Sequence, residues 1–322
     1  MGFERLTVAV PGGEIFATRR GSGPAAIYLH GGPGIGAEHL MGLVEEVDGL
    51  FNGVLPQQRG LPPSTLEGPR DVETHVADEI ALLDQLGWER AWLVGHAWGA
   101  HLAMHIAVAH PDRVTGLILI ETLGAFPDGG SGELVANMVA RLTPDERAAL
   151  DDLMAKQAAG DEDPVLMHKV FMTLWPSYSY IHGNVLPPAS LRVELPIPGE
   201  KTTVESVAAH FEAGTLERGL PALDLPVLLI HGEGDPMPLS STTDTADLIR
   251  GARVDVVPEA GHFPWLERSG YFRSIIEAFL TDHPAPFIED TIIEGESAGV
   301  PQGVSRDRDS DHVADSDSVT VA

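Results

Sequence analysis

The chain has 322 residues, 43% of them hydrophobic, with 48 acidic residues against 20 Lys and Arg, a net charge of −28 and no Cys. That length suits one α/β core with an insertion, while the acidity argues against a nucleic-acid partner, because phosphate contacts need clustered Lys and Arg. The lack of Cys excludes disulfides, thiolate catalysis and Cys-ligated metal; no apolar run reaches the ~18 residues of a membrane span, and no signal peptide is recognisable, so a cytoplasmic protein without a membrane partner is expected.

In chain order, RLTVAV (5–10) and EIFATRR (14–20) flank a Pro-Gly-Gly turn and read as a hairpin. AAIYLH (25–30) is a buried strand running into Gly-rich HGGPG. Helical spacing follows at 37–47, a strand at 50–56, and a strong amphipathic helix over 71–88 with Asp71 as N-cap. AWLVG (91–95) is a strand, 100–110 a buried helix stopped by Pro111, and VTGLILIE (114–121) another strand. Helix-like and Pro-broken pieces fill 127–220. Strand–helix alternation resumes with LPVLLIH (225–231), a helix near 240–250, a strand at 252–258 and a helix over 264–283. The expected fold is a mostly parallel, eight-stranded sheet with helices on both faces. Its core covers 1–126 and 221–283, a helical lid 127–220, and an acidic, disordered tail 284–322.

Four motifs fall at strand ends, the edge where open α/β sheets bind ligands. HGGPG (30–34) lets backbone N–H groups approach a developing oxyanion. GHAWG (95–99) has the shape of a nucleophile elbow, with Trp98 N–H at a helix start as a second donor. Asp235 in HGEGDPMP and His262 in EAGHFPW follow in the chain order nucleophile, acid, base. Singly each motif is weak: HGGPG alone is equally a tight turn, Asp235 a turn residue and His262 a solvated loop residue. Together and in order they define a site.

The chain resembles the α/β-hydrolases, and more narrowly the proline iminopeptidases, through HGGPG, QRG (58–60), Trp98 after the elbow position, GEGDPMP and GHFPW. The likeness covers roughly 1–125 and 222–283. It implies an oxyanion hole from the Gly31–Gly32 segment and Trp98, Asp235 orienting His262, and position 97 as the nucleophile site. It also implies an aminopeptidase-like hydrolysis of a small amide or ester, with a small molecule or short peptide as the substrate partner. No cofactor or metal is expected, because no phosphate-cradling or His-cluster motif appears. Substrate-side candidates are His30, His96, Glu121 and Phe263 beside the motifs, with Glu205 and Glu212 in the insertion for a substrate amine. The chain departs from the family at Gln57, and the segment after Ile120 lacks the Arg-Gly of the aminopeptidases, which weakens the case for selectivity toward an N-terminal proline.

The nucleophile position holds Ala97. A methyl group has no lone pair, so acyl-enzyme chemistry is closed to this chain. Three readings stand open: a serine hydrolase whose nucleophile is replaced by Ala, a chain using the Asp235–His262 dyad for lyase, isomerase or cyclase chemistry, and a small-molecule-binding protein without catalysis.

Overall fold

A computed structural model describes residues 2–286 except 162, 164 and 194–202. The expected tail therefore lies, apart from its first three residues, outside the described residues. The elements in chain order are strands β1 (Glu4–Val10), β2 (Gly13–Gly21) and β3 (Ala25–Leu29), helix α1 (Met41–Glu46), strand β4 (Asn52–Pro56), helix α2 (Val72–Gln85), strand β5 (Ala91–His96), helix α3 (Trp98–Ala109) and strand β6 (Val114–Ile120). Helices α4 (Ser131–Ala140), α5 (Pro144–Ala158), α6 (Leu166–Leu174), α7 (Thr203–Ala213) and α8 (Thr215–Gly219) follow before strand β7 (Val227–Gly232). Helix α9 (Leu239–Asp247), strand β8 (Arg253–Val257), and helices α10 (Pro264–Glu267) and α11 (Tyr271–Asp282) complete the elements of the described residues.

The eight strands form one sheet in the order β1-β2-β4-β3-β5-β6-β7-β8. β2 runs antiparallel to both β1 and β4, and all other neighbours are parallel. The parallel strands are apolar at nearly every position because both faces are covered. Their side chains alternate between two cores. Ile27, Leu29, Leu93, Leu117, Leu119 and Leu229 pack on one side with residues of α2 and α3. Tyr28, Trp92, Val94, Ile118, Leu228 and Ile230 pack on the other with residues of α1 and α11. Asp71 caps α2 by accepting from Thr74 N–H at 2.9 Å, as its place before the apolar stripe predicts.

Two expectations need correction. The helix expected over 264–283 is two helices, broken at Gly270, whose φ of 75° interrupts the helical path. The helix over 37–47 begins as a 3-10 turn and becomes α-helical only from Met41. The stretch 131–140, singled out by no periodicity, is also helical.

Candidate active site at the carboxyl ends of the strands

β5 ends at His96, and the chain turns at Ala97 directly into α3. The turn is tight enough to exclude side chains on both flanks. A Cβ on Gly95 would overlap the Gly99 carbonyl oxygen, and one on Gly99 would overlap that of Leu29. Ala97 itself has φ 51° and ψ −114°, a strained backbone for any residue with a Cβ. Its N–H donates to the Ile120 carbonyl at 2.9 Å, and its own carbonyl accepts from Ala100 and His101 N–H at 3.1 and 3.2 Å. These bonds hold the elbow open so that residue 97 meets the cavity above the sheet edge. The N–H of Trp98, first residue of α3, is one of the amides a helix leaves unpaired at its start.

The HGGPG loop passes beside this elbow. Gly32 has φ 133°, where a Cβ would stand 2.8 Å from Gly34 N. Of the two glycines expected to donate, Gly31 has its N–H committed to His39 Nε2 at 3.3 Å. That corrects the expectation for Gly31 and leaves the Gly32 and Trp98 amides as the candidate oxyanion donors. Gln58 fastens loop to elbow. Its backbone N–H donates to His30 Nε2 at 3.0 Å, its side-chain amide donates to the His30 carbonyl at 3.1 Å, and its Oε1 accepts from Trp98 Nε1–H at 2.9 Å. Arg59 of the same motif points elsewhere. It forms a buried two-pronged pair with Asp78 of α2, at 2.9 and 2.6 Å.

His262 Nδ1–H donates to the Asp235 carboxylate, with oxygens at 2.9 and 3.0 Å. That tautomer, assigned from its partner, leaves Nε2 free to act as a base, and His262 lines the cavity. Asp235 is buried, which alone would raise its pKa; the facing His262, Glu121 and His231 outweigh burial and hold it below the usual carboxylate range. The loop carrying His262 is clamped by the insertion. The His262 N–H donates to the Tyr178 carbonyl at 2.8 Å, and the Tyr178 ring stacks on the imidazole with centroids 4.6 Å apart. Trp175 stacks on Phe263 at 4.9 Å. Arg141 donates to the Gly234 carbonyl at 2.7 Å, steadying the Asp235 loop. His96 Nε2–H donates to the His262 carbonyl at 2.9 Å, and its Nδ1 lies 3.3 Å from His39 Nε2. Burial first, then neighbouring histidines, lowers the pKa of His96 well below its ordinary value.

These groups surround a cavity of about 890 Å3. Its floor is the elbow, the glycine loop and His262; its walls come mainly from the insertion, including Leu134, Phe171, Val207 and Phe211. Of the sequence candidates, Gly31, Gly32, His96, Ala97, Trp98, Glu212, His262 and Phe263 line it. Three do not. His30 is fully buried and bonded to Gln58. Glu205 is exposed on α7. Glu121 has no exposed surface; its Oε1 accepts from Gly232 N–H at 2.6 Å, behind Asp235 and away from the cavity. The substrate-side expectation for these three is corrected accordingly. Gln58, Trp175, Tyr178 and Arg141 were not anticipated. The aromatic run WPSYSY (175–180) was the available signal for the clamp.

Among the described residues, Glu121, His231 and Asp235 bring ligand-type atoms within 4.8 Å of one another. Each already has a protein partner: Gly232 N–H for Glu121, the Thr242 hydroxyl for His231 at 2.9 Å, and His262 for Asp235.

An eight-stranded sheet of this order, with an elbow after β5, an acid after β7 and a histidine after β8, defines the α/β-hydrolase fold. The chain belongs to the Alpha/beta hydrolase family, whose family model matches residues 26–273. It is 34% identical over 122 residues to epoxide hydrolase 2 of Siraitia grosvenorii, a stretch of 36% of this chain and 37% of that one. It is 27% identical over 278 residues to 2-hydroxymuconate semialdehyde hydrolase of Pseudomonas sp. strain CF600, covering 83% and 90% of the two chains. The first relative is thus spanned over little more than a third of its length. Proline iminopeptidase of Mycobacterium smegmatis shares the fold, with a TM-score of 0.61 and 23% identity over 87% of this chain and 98% of that one. No helix among the described residues is long and apolar enough to cross a membrane.

Proposed function

We propose that this cavity is a hydrolase site for a small amide or ester, attacked from position 97, with His262 as base, Asp235 as its orienting acid, and the Gly32 and Trp98 amides receiving the oxyanion. The observation that carries this reading is the elbow. Ala97 keeps the strained backbone of an attacking residue, in the cavity that His262 lines, although a methyl group makes no use of it. As the chain stands it forms no acyl-enzyme. A residual acceleration remains from binding and the oxyanion donors, on the order of 10³–10⁴ over water in the best-studied serine proteases.

The mostly apolar walls suit a substrate with an apolar body. Glu212, with the half-buried Glu217, offers carboxylates to a substrate amine, and that is the support for an aminopeptidase-like substrate. The intact His262–Asp235 contact favours a second reading for the Ala97 chain itself, in which His262 removes a proton from a bound carbonyl compound while the two amides hold the enolate oxygen.

The test is an Ala97→Ser chain, with the Ala97 chain and an Ala97→Ser/His262→Ala chain as controls. A fluorophosphonate probe, aminoacyl arylamides and aryl esters are the substrates. Labelling and turnover that require both the introduced hydroxyl and His262 are the expected result. A folded Ala97→Ser chain that neither labels nor turns over any of them overturns the hydrolase reading. For the Ala97 chain, His262-dependent deuterium exchange at the α-carbon of a small ketone, followed by NMR, is the corresponding measurement; exchange that persists in His262→Ala rules the dyad out as its base.

A further inference from the structure

The buried carboxyl group of Glu121 has no part in the chemistry above, and its surroundings require an account. It sits just past the carboxyl end of β6, with a φ of 49°, a conformation uncommon for a residue with a Cβ. It is completely buried. Oε1 accepts from Gly232 N–H at 2.6 Å. Oε2 makes no hydrogen bond as an acceptor and is fully enclosed. It lies 3.2 Å from His231 Nδ1, which is the same nitrogen that meets the Thr242 hydroxyl. Asp235 stands in the same cluster, all within 4.8 Å.

Two carboxyl groups this close and this buried cannot both be ionised without a cation between them. Asp235 has its cation-forming partner in His262. Among the described residues Glu121 faces no Arg or Lys; the charged and titratable groups around it are Asp235 and His231 from β7 and its loop and Glu267 from α10. An ionised Glu121 would set a bare oxygen against Asp235. A neutral one turns the unsatisfied Oε2 into a donor.

We propose that Glu121 is a positioning residue for the dyad: as a neutral carboxylic acid it donates its O–H to the Asp235 carboxylate, so that the working unit is the chain Glu121–Asp235–His262. Burial first, and the Asp235 charge second, push the Glu121 pKa well up, in agreement with this geometry. The bond fixes Asp235 from behind and draws some of its charge away from His262. The proposal rests on the dyad reading above, and it adds the protonation state of a third residue.

Glu121→Gln separates the possibilities, because the amide is near in shape, is neutral, accepts from Gly232 N–H and donates to Asp235. The first readout is the infrared difference between the parent and Glu121→Gln chains at neutral pH. Loss of a protonated-carboxyl C=O band is expected; no such band in the difference overturns the proposal. The second is the His262 titration followed by imidazole NMR. Glu121→Gln is expected to leave its midpoint in place. A downward shift of about one unit or more would show that a negative charge was removed, and would overturn the proposal. Glu121→Leu, which lacks the donor, is expected to raise the midpoint. Both results are expected to be the same before and after dialysis against a chelator; a midpoint that moves on metal removal would mean the cluster holds a cation instead of a proton. Asp235→Asn tests the underlying reading separately. It is expected to lower the midpoint whatever Glu121 does, and an unmoved midpoint there means that the dyad itself is misassigned.

Discussion

Gln58 and Arg59 are adjacent and serve different structures. Gln58 spans the two parts of the candidate oxyanion site, and its removal would strand the His30 carbonyl and the Trp98 indole N–H in the interior. Each orphaned buried group costs about 1–3 kcal/mol. Gln58→Leu is expected to lower the denaturant midpoint and, in an Ala97→Ser chain, to reduce turnover more than substrate affinity. Denaturation and steady-state kinetics on the one preparation check both. Arg59 belongs to stability. Asp78→Ala leaves its guanidinium buried without a counter-charge, at a cost of about 3–5 kcal/mol, and equilibrium unfolding measures that loss. The motif was legible in the sequence, but the division of labour was not. Nothing in the order Gln-Gln-Arg-Gly tells which side chain turns toward the elbow and which toward α2. Glu121 was misplaced for a similar reason, since the end of a strand faces either the cavity or the interior, and spacing alone does not tell that its carboxyl meets Gly232 N–H in the interior.

At the scale of elements, the turn from β5 into α3 depends on Gly99 passing against the end of β3. A Cβ there would overlap the Leu29 carbonyl oxygen, so Gly99→Ala must separate helix from sheet. Overpacking of that kind costs typically about 1–3 kcal/mol, and the same substitution displaces the Trp98 amide. The expected outcome is a folded, less stable protein whose Ala97→Ser form labels poorly, read by thermal melting and probe labelling together. The insertion reaches the dyad through Tyr178, which stacks on His262, while Trp175 stacks on the adjacent Phe263. Tyr178→Ala removes the surface against which His262 is held, and in an Ala97→Ser chain it is expected to lower kcat with less effect on KM. The strands and the helices flanking the sheet were legible because their apolar periods are long and their ends carry glycine or proline. The insertion was less so. Its helices bury apolar residues against a cavity wall, and α4 carries too few buried positions for the spacing to stand out.

Taken as a whole, the molecule encloses many neutral histidines. Burial, above other causes, lowers the pKa of His30 to about 3 and of His39, His75 and His101 to about 4. In the unfolded chain these groups take up a proton near the ordinary value of about 6.5. The unfolded state therefore binds more protons between about pH 6.5 and 4, and stability is lost as the pH falls through that window. Buried Glu79 and Glu121 act in the opposite sense, because burial raises their pKa and the fold keeps their protons. The histidines outnumber them, so the melting temperature is expected to fall from pH 7 to pH 5; a flat or rising profile would contradict it. Composition gave the net acidity of the chain but no hint of this interior, since a histidine count says nothing about burial. The parallel sheet and the order of the site along the chain were readable at this scale, because hydrophobic alternation and motif order are themselves global properties.

The bent backbone at Ala97 sets a direction for substitution. Holding a residue with a Cβ in that conformation costs about 1–3 kcal/mol, whereas glycine adopts it freely and gives up about 0.5–1 kcal/mol of chain entropy. With a serine at position 97 the strain would be retained for the sake of the reaction. With alanine nothing chemical opposes its release. Ala97→Gly is therefore expected to fold at least as stably as the parent, making the centre of the candidate active site a place where this protein can shed a side chain without losing stability.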